Sequence, residues 1–309
     1  LSVSGDAGAE KAAADLRLGL ITGVAAYTFW GLFPLYLKLL SEVAPLEILS
    51  HRIFWSVPFG AVLILLRKQW REVLTALKTP RVVMLLAVAA VAIACNWLIY
   101  VWAVINDRIL EASLGYYINP LMYVAAGVFI LGERLRPAQV FALGLAAAGV
   151  LVMTFGAGTF PWVSIVLALL FTLYGYIRKT TPVGAMPGLF IETSLLAPLA
   201  AIYVFTLMRA GEAAFQAQSF GMDVILMLAG PVTVIPLVLF ALAARRLTLT
   251  TLGFLQYIGP TLQFVLGLYY GEAFTLYHAI CFGLIWTGLA VFSFDAVQTG
   301  RQERVRKPA

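Results

Sequence analysis

Ten runs of roughly twenty mostly apolar residues, joined by short polar connections, leave this chain few ways to fold. They lie at about 18–40, 44–66, 82–105, 109–131, 138–155, 161–177, 187–208, 222–243, 249–269 and 276–296. At a helical rise of about 1.5 Å per residue, about 20 such residues cross a hydrocarbon core. Inside lipid every backbone N–H and C=O must be paired within its own segment, which a helix achieves and a loop does not. Composition agrees: 62% of the 309 residues are hydrophobic and 12% charged, against about half and a quarter in a soluble domain. So few charges cannot cover so much apolar surface in water. A soluble enzyme, a nucleic-acid binder and a disordered scaffold are excluded, and the expected class is an all-α membrane protein with ten transmembrane helices. The first run reads as a span, because a mixed-charge segment of some 17 residues precedes it and no small-residue cleavage site follows.

Lys and Arg are spread unevenly over the connections. With the N-terminus cytoplasmic, 17 of the 21 fall inside: in the N-terminal segment, at 67–81, at Arg134 and Arg136, at Arg178 and Lys179, at Arg245 and Arg246, and at the C-terminus. Lys38, Arg108 and Arg209 fall outside, and Arg52 lies within a span. The bias places both termini in the cytoplasm. The net charge of +6 is divided among alternate loops, so no nucleic-acid partner is expected.

The two halves echo each other. Arg108-Ile-Leu-Glu-Ala-Ser-Leu-Gly115 is followed by Pro120 and Gly132-Glu133; Arg246-Leu-Thr-Leu-Thr-Thr-Leu-Gly253 is followed by Pro260 and Gly271-Glu272. A weaker echo links Pro45, Arg52 and Pro58 with Pro187, Glu192 and Pro198. Five spans per half is an odd number, so the halves are expected in opposite orientations. That gives a cytoplasmic tail at 1–17, a first five-helix repeat at 18–155, a second at 161–296 and a basic cytoplasmic tail at 297–309. Two inverted repeats around a shared site are the architecture of many secondary transporters.

An ionisable group at membrane depth costs about 2.5–3.5 kcal/mol on insertion scales and needs a partner or a watery cavity. The second span carries Glu47, His51 and Arg52; Glu47 and His51 are four apart and share a helix face. With Asp107, Arg108 and Glu111 they are expected to form an outer polar cluster. Glu47 and Glu111 also suit helix N-termini, and His51 is open to either a titrating or a neutral, hydrogen-bonded role. The seventh span carries Glu192, with Arg178, Lys179, Arg245 and Arg246 as expected neighbours and proton carriage as a candidate role. Depth separates Glu192 from Arg52, which favours two gates, one per face, over one salt bridge.

Uncharged polar groups sketch a central solute-binding surface: Asn96, Trp97, Tyr100, Tyr116, Asn119, Gln256, Tyr257 and Gln263. Interfacial anchoring is the plain alternative for its aromatic members. Asn119-Pro120 and Gly259-Pro260 interrupt helical hydrogen bonding in corresponding spans. Gly19-xxx-Gly23 and Gly267-xxx-Gly271 permit close helix contact within or between chains, leaving the oligomeric state open. Cys95 and Cys281 have no CxxC or Cys/His spacing and read as small buried hydrophobes. No GxxxxGK[ST], HExxH or GxSxG pattern occurs. No cofactor or metal is therefore expected, and no enzymatic activity.

Tyr27-Thr-Phe-Trp30-Gly31-Leu-Phe-Pro34, Glu47-Ile-Leu-Ser-His51-Arg52-Ile-Phe-Trp55, Asn96-Trp97-Leu-Ile-Tyr100-Val-Trp102 and Glu111-Ala-Ser-Leu-Gly115-Tyr116-Tyr117-Ile-Asn119-Pro120 resemble the RarD group. Leu252-Gly253-Phe254-Leu255-Gln256-Tyr257-Ile258-Gly259-Pro260-Thr261 extends the resemblance into the second half. That group lies in the EamA branch of the drug/metabolite transporter superfamily. The resemblance implies ten helices in two inverted repeats, a bacterial inner-membrane location, and export of small metabolites or drugs, with amino acids and chloramphenicol-like compounds as substrate classes. The expected function is secondary transport by alternating access. Its expected partners are a small-molecule substrate, membrane lipid and, through Glu192, protons. An integral membrane enzyme acting on an interfacial substrate is the alternative; it calls for reactive residues at one surface only.

Overall fold

The computed structural model describes the backbone of residues 3–131, 136–156, 158–247, 251–252 and 255–306, and the side chains of 14–122, 125, 136–156, 158–247, 251–252, 255–295 and 298. Among these residues there are eleven helices and no strand: α1 (Val3–Lys38), α2 (Pro45–Leu66), α3 (Trp70–Leu77), α4 (Pro80–Ile105), α5 (Ile109–Leu131), α6 (Pro137–Leu151, continued by a π turn at Val152–Gly156), α7 (Trp162–Thr180), α8 (Ala185–Ala210), α9 (Phe220–Ala244), α10 (Ile258–Tyr269) and α11 (Leu276–Arg306). Eight are long and apolar enough to cross a membrane: those in α1, α2, α4, α6 with its π turn, α7, α8, α9 and α11. Large apolar side chains such as Leu66, Phe155, Leu199 and Phe294 face outward, as a surface solvated by lipid requires.

Local chemistry sets the ends. Pro45, Pro80 and Pro137 open α2, α4 and α6, where a missing N–H is harmless. Ser219 caps α9 by accepting from the N–H of Met222. Gly211, at φ 72°, closes α8 in the left-handed conformation that a Cβ disfavours.

Four elements depart from the sequence expectation. The connection at 67–81 contains α3, which buries Val73 and Ala76 and packs on α4 and α8. Helices α1 and α11 run on through much of the sequence read as tails. The ninth expected span is interrupted: the chain is helical at 251–252 and 255, turns at 256–257 and resumes as α10. Pro260 has no N–H to offer the carbonyl of Gln256, four residues earlier. Pro120 loses the same bond to Tyr116 yet stays inside a continuous α5, so the two corresponding prolines have different outcomes.

Every extensive contact but one between long helices joins the first half of the chain to the second; the contact of α2 with α4 stays within the first. Helix α2 crosses α8 antiparallel, with Leu49 and Ile53 beside Ala200 and Gly60 facing Phe190. Helices α5 and α10 are antiparallel too, since Leu110 meets Gly267 while Tyr117 bonds Thr261. So are α6 and α11, with Gly149 on Cys281 and Gly288 on Ala142. Helix α1 lies antiparallel to α9 (Tyr36 to Ile225, Tyr27 to Phe240) and parallel to α10 (Gly23 to Leu255, Gly31 to Leu262). Helix α7 lies antiparallel to α4 (Asn96 to Leu167, Trp102 to Trp162) and parallel to α5 (Gly115 to Ser164, Tyr116 to Phe171).

Small residues allow the closest crossings. A Cβ on Gly230 would overlap the backbone carbonyl of Trp55, and one on Gly115 would sit 2.9 Å from the carbonyl oxygen of Ser164. Gly19 and Gly23 receive Arg246 and Leu255 of the same chain, so this GxxxG stripe is filled from within. Gly267 packs on Leu110, whereas Gly271, at φ 79°, follows the end of a helix and has open space where a Cβ would sit. Cys281 is buried as expected; Cys95 is exposed on α4.

Candidate functional site

Arg52 is 5% exposed and lies seven residues into α2, about 10 Å below the helix end at the usual rise. Its Nε donates to Thr233 Oγ1 on α9 at 3.2 Å. Its guanidinium lies 4.8 Å from the centre of the Phe33 ring and 4.5 Å from that of Trp97, a contact worth about 0.5–2 kcal/mol. Tyr36, Tyr100 and Tyr116 are its electrostatic neighbours. Tyr100 stacks on Phe33 and meets Tyr116 edge-on. Helices α1, α2, α4, α5 and α9 thus build one aromatic cage around a buried cation. Among the described residues no ion pair includes Arg52, and its Nη1 has no hydrogen-bond partner.

An aromatic ladder leads from this cage to Glu192. Tyr116 packs on Phe171 and Phe171 on Tyr174. The Tyr174 hydroxyl donates to Glu192 Oε2 at 3.2 Å. Glu192 is fully buried on α8, with Oε1 3.5 Å from Arg178 Nε. Arg178 lies over Gly188, in space that a Cβ would occupy, and donates to the Gly184 carbonyl. From α3, Glu72 accepts the Gly184 N–H at 2.6 Å. One end of the bundle is therefore tied by α3, the end of α7 and the start of α8.

Several ties hold the opposite end. Lys38 pairs with Asp107 and Arg108 with Glu111. Arg108 lies over the rings of Trp102 and Trp162. Glu272 accepts the N–H groups of Ile109 and Leu110 at the start of α5; burial raises its carboxyl pKa against the opposing pull of those amides. Glu47 Oε1 accepts from the N–H groups of Ala214 and Phe215 at 2.8 and 3.2 Å. His51 Nδ1 accepts from Trp55 Nε1 at 3.2 Å, so that nitrogen carries no proton. His51 Nε2 lies 4.0 Å from Glu47 Oε1, and its ring packs on Phe215.

The expected outer cluster is thus divided. Glu47 and His51 share a site that holds the α8–α9 loop, Arg108 and Glu111 form a second, Lys38 and Asp107 a third, and Arg52 stands apart below them. Glu47 lies in the first turn of α2, as expected, and its side chain also holds the α8–α9 loop. Of the four cations expected near Glu192, Arg178 pairs with it. Arg246 instead lies 3.5 Å from Asp15 and donates to the Leu242 carbonyl, because the α9–α10 connection passes beside α1.

The solute-binding set also divides. Trp97, Tyr100 and Tyr116 meet around Arg52. Asn96 is buried facing α7, where Nδ2 donates to the Leu167 carbonyl, leaving Oδ1 unbonded. Gln263 donates to the Trp30 carbonyl at 3.2 Å and Asn119 is buried. Tyr257 stacks on Tyr117 and has Ser293 and Gln256 as side-chain neighbours, on the α11 side and away from the cage. A separate groove of about 480 Å³ between α2 and α9 is lined by apolar residues, among them Trp55, Phe59, Met227 and Pro231.

Sequence reasoning missed Thr233, Tyr174 and Glu72, none of which has a distinctive spacing. Glu272 had a signal, since the repeat aligns it with Glu133; Glu133 lies outside the described residues.

Residues 17–155 match the EamA-like transporter family. Protein RarD of Escherichia coli strain K12 is 44% identical over 291 residues, covering 94% of this chain and 98% of that protein. This chain belongs to the RarD group of that family. An uncharacterized transporter of Vibrio cholerae is 46% identical over 291 residues, covering 94% of this chain and 96% of its own length. A solved crystal structure 23% identical in sequence, covering 88% of this chain and 96% of its own, superposes with a TM-score of 0.57 and shares the fold. The RarD-type chain is accordingly a multi-pass protein of the bacterial inner membrane and a membrane transporter.

Proposed function

We propose that this protein is a secondary transporter that moves small organic metabolites or drugs, as an exporter, by alternating access. Ten membrane-crossing segments form two inverted five-helix repeats, the α5 segment and the interrupted 249–269 segment included, with both termini cytoplasmic. The carrying observation is the pattern of helix contacts. Exchanging α1 with α7, α2 with α8, α4 with α9, α5 with α10 and α6 with α11 maps each extensive contact between the two halves onto another such contact, and α1–α9 agrees in sense with α4–α7, as α5–α7 does with α1–α10. Helices paired with their own counterpart cross antiparallel, as a two-fold axis in the membrane plane requires.

The two tied ends act as gates, Arg178–Glu192 with Glu72–Gly184 toward the cytoplasm and the Glu47, Arg108 and Glu272 contacts outside. Glu192 carries the coupling proton. Counterflow in proteoliposomes tests the reading without knowledge of the driving ion: vesicles preloaded with unlabelled amino acids, amphenicols or whole cell extract should take up the labelled counterpart with a transient overshoot. Glu192→Gln should abolish uptake driven by an imposed pH gradient while counterflow persists and the protein still elutes as a folded species. Gradient-driven uptake at the normal rate in that variant would remove Glu192 as the proton carrier.

A further inference from the structure

We propose that the Arg52 guanidinium receives the carboxylate of the transported solute, whose body rests against Phe33, Trp97, Tyr100 and Tyr116. The inference deepens the transporter reading and rests on it. A cation 5% exposed at membrane depth needs a counter-charge, and ring faces offset only part of the desolvation. The protein's own acids nearby are engaged elsewhere. Glu47 accepts two loop amides, Asp107 pairs with Lys38, Glu111 with Arg108, and Asp223 accepts the Gln216 N–H. Glu192 is held by Arg178 and Tyr174. Along the antiparallel α2–α8 pair it lies opposite a position some six residues beyond Arg52, about 9 Å away by helical rise.

The geometry also selects the chemistry. With Nε bonded to Thr233, the two terminal nitrogens remain, and their fork matches the two oxygens of a carboxylate. The Tyr100 hydroxyl, buried and without a partner, supplies a further donor at the same place. Helices α1, α2, α4 and α5 supply the groups that would touch the solute, and α9 of the second half holds Arg52 through Thr233, so binding there is linked to both halves of the chain. A gate residue would be expected to meet an acid across the closed end, as Arg178 meets Glu192. Arg52 meets none.

The test uses the full protein in vesicles loaded with unlabelled bacterial metabolite extract and placed in uniformly 13C-labelled extract, with incoming solutes identified by mass spectrometry. Labelled carboxylates should accumulate above empty-liposome controls. Methyl-esterifying the extract should abolish uptake, and phosphatase treatment should leave it intact. Arg52→Gln should lower uptake at least about tenfold, and Arg52→Lys, which keeps the charge without the fork, less. Uptake of neutral or cationic solutes, uptake that survives esterification or is lost to phosphatase, or full activity in Arg52→Gln would overturn the assignment while leaving a transporter. If Arg52→Gln does not fold, the esterification and Arg52→Lys arms decide. No uptake by folded wild-type protein would sink the transporter reading itself.

Discussion

Glu47 and Arg52 are one and a half turns apart on α2 and both nearly inaccessible, yet their charges are handled in opposite ways. Glu47 is neutralised within the fold by the amides of Ala214 and Phe215. Glu47→Gln keeps the shape but weakens two charge-assisted bonds, so stability should fall by about 1.5–3 kcal/mol. Thermal unfolding measures that loss, and faster amide hydrogen exchange across 211–219 should locate it. Unchanged exchange there would mean that the loop is held by other contacts. Residue chemistry was partly legible beforehand: the Glu47–His51 spacing follows from helical periodicity, and the Arg178–Glu192 pair and the Trp97, Tyr100 and Tyr116 grouping from their expected places in the spans. Thr233, Phe215 and the Asp15–Arg246 contact did not, because they depend on which helices become neighbours, and a single sequence carries no record of that.

At the scale of elements, ten apolar runs gave the long helices because hydrophobic length alone decides them. The α10 break and α3 needed more. Pro120 and Pro260 occupy corresponding places in the two halves, yet α5 continues where the ninth segment turns. Helix crossings rest on small residues. Gly230→Ala should cost about 1–3 kcal/mol by forcing α9 away from the Trp55 carbonyl, read as a lower unfolding temperature in detergent, whereas Gly144, with open space beside it, should accept Ala without loss. The antiparallel α6–α11 pair makes a chemical prediction: a Cβ at position 149 would sit 3.3 Å from Cys281 Sγ. Gly149→Cys should therefore form an intramolecular disulfide with Cys281 under mild oxidant, detected as two fragments held together after proteolysis between them. Failure to crosslink, with both thiols shown reactive, would contradict the packing of these two helices.

Across the whole molecule, the contacts obey the two-fold exchange closely but not completely, since α2 packs on α9 more extensively than α8 packs on α4. In the proposed alternating-access cycle, swapping those two arrangements is the change to the opposite-facing state, so substitutions that loosen α2 against α9 should shift which side of the membrane labels introduced cysteines fastest. The cage around Arg52 bears on how the protein is made. Phe33 and Trp97 leave the ribosome with the first half, but Thr233 arrives much later. For most of synthesis a charged helix must wait in or beside the bilayer with its shield unfinished. Residues 1–155 made alone should be degraded rapidly in cells and rescued by supplying 156–309 as a separate chain, as pulse-chase labelling would reveal. The first half of this protein is thus a client of the second, and its quality control is set by a helix born long after it.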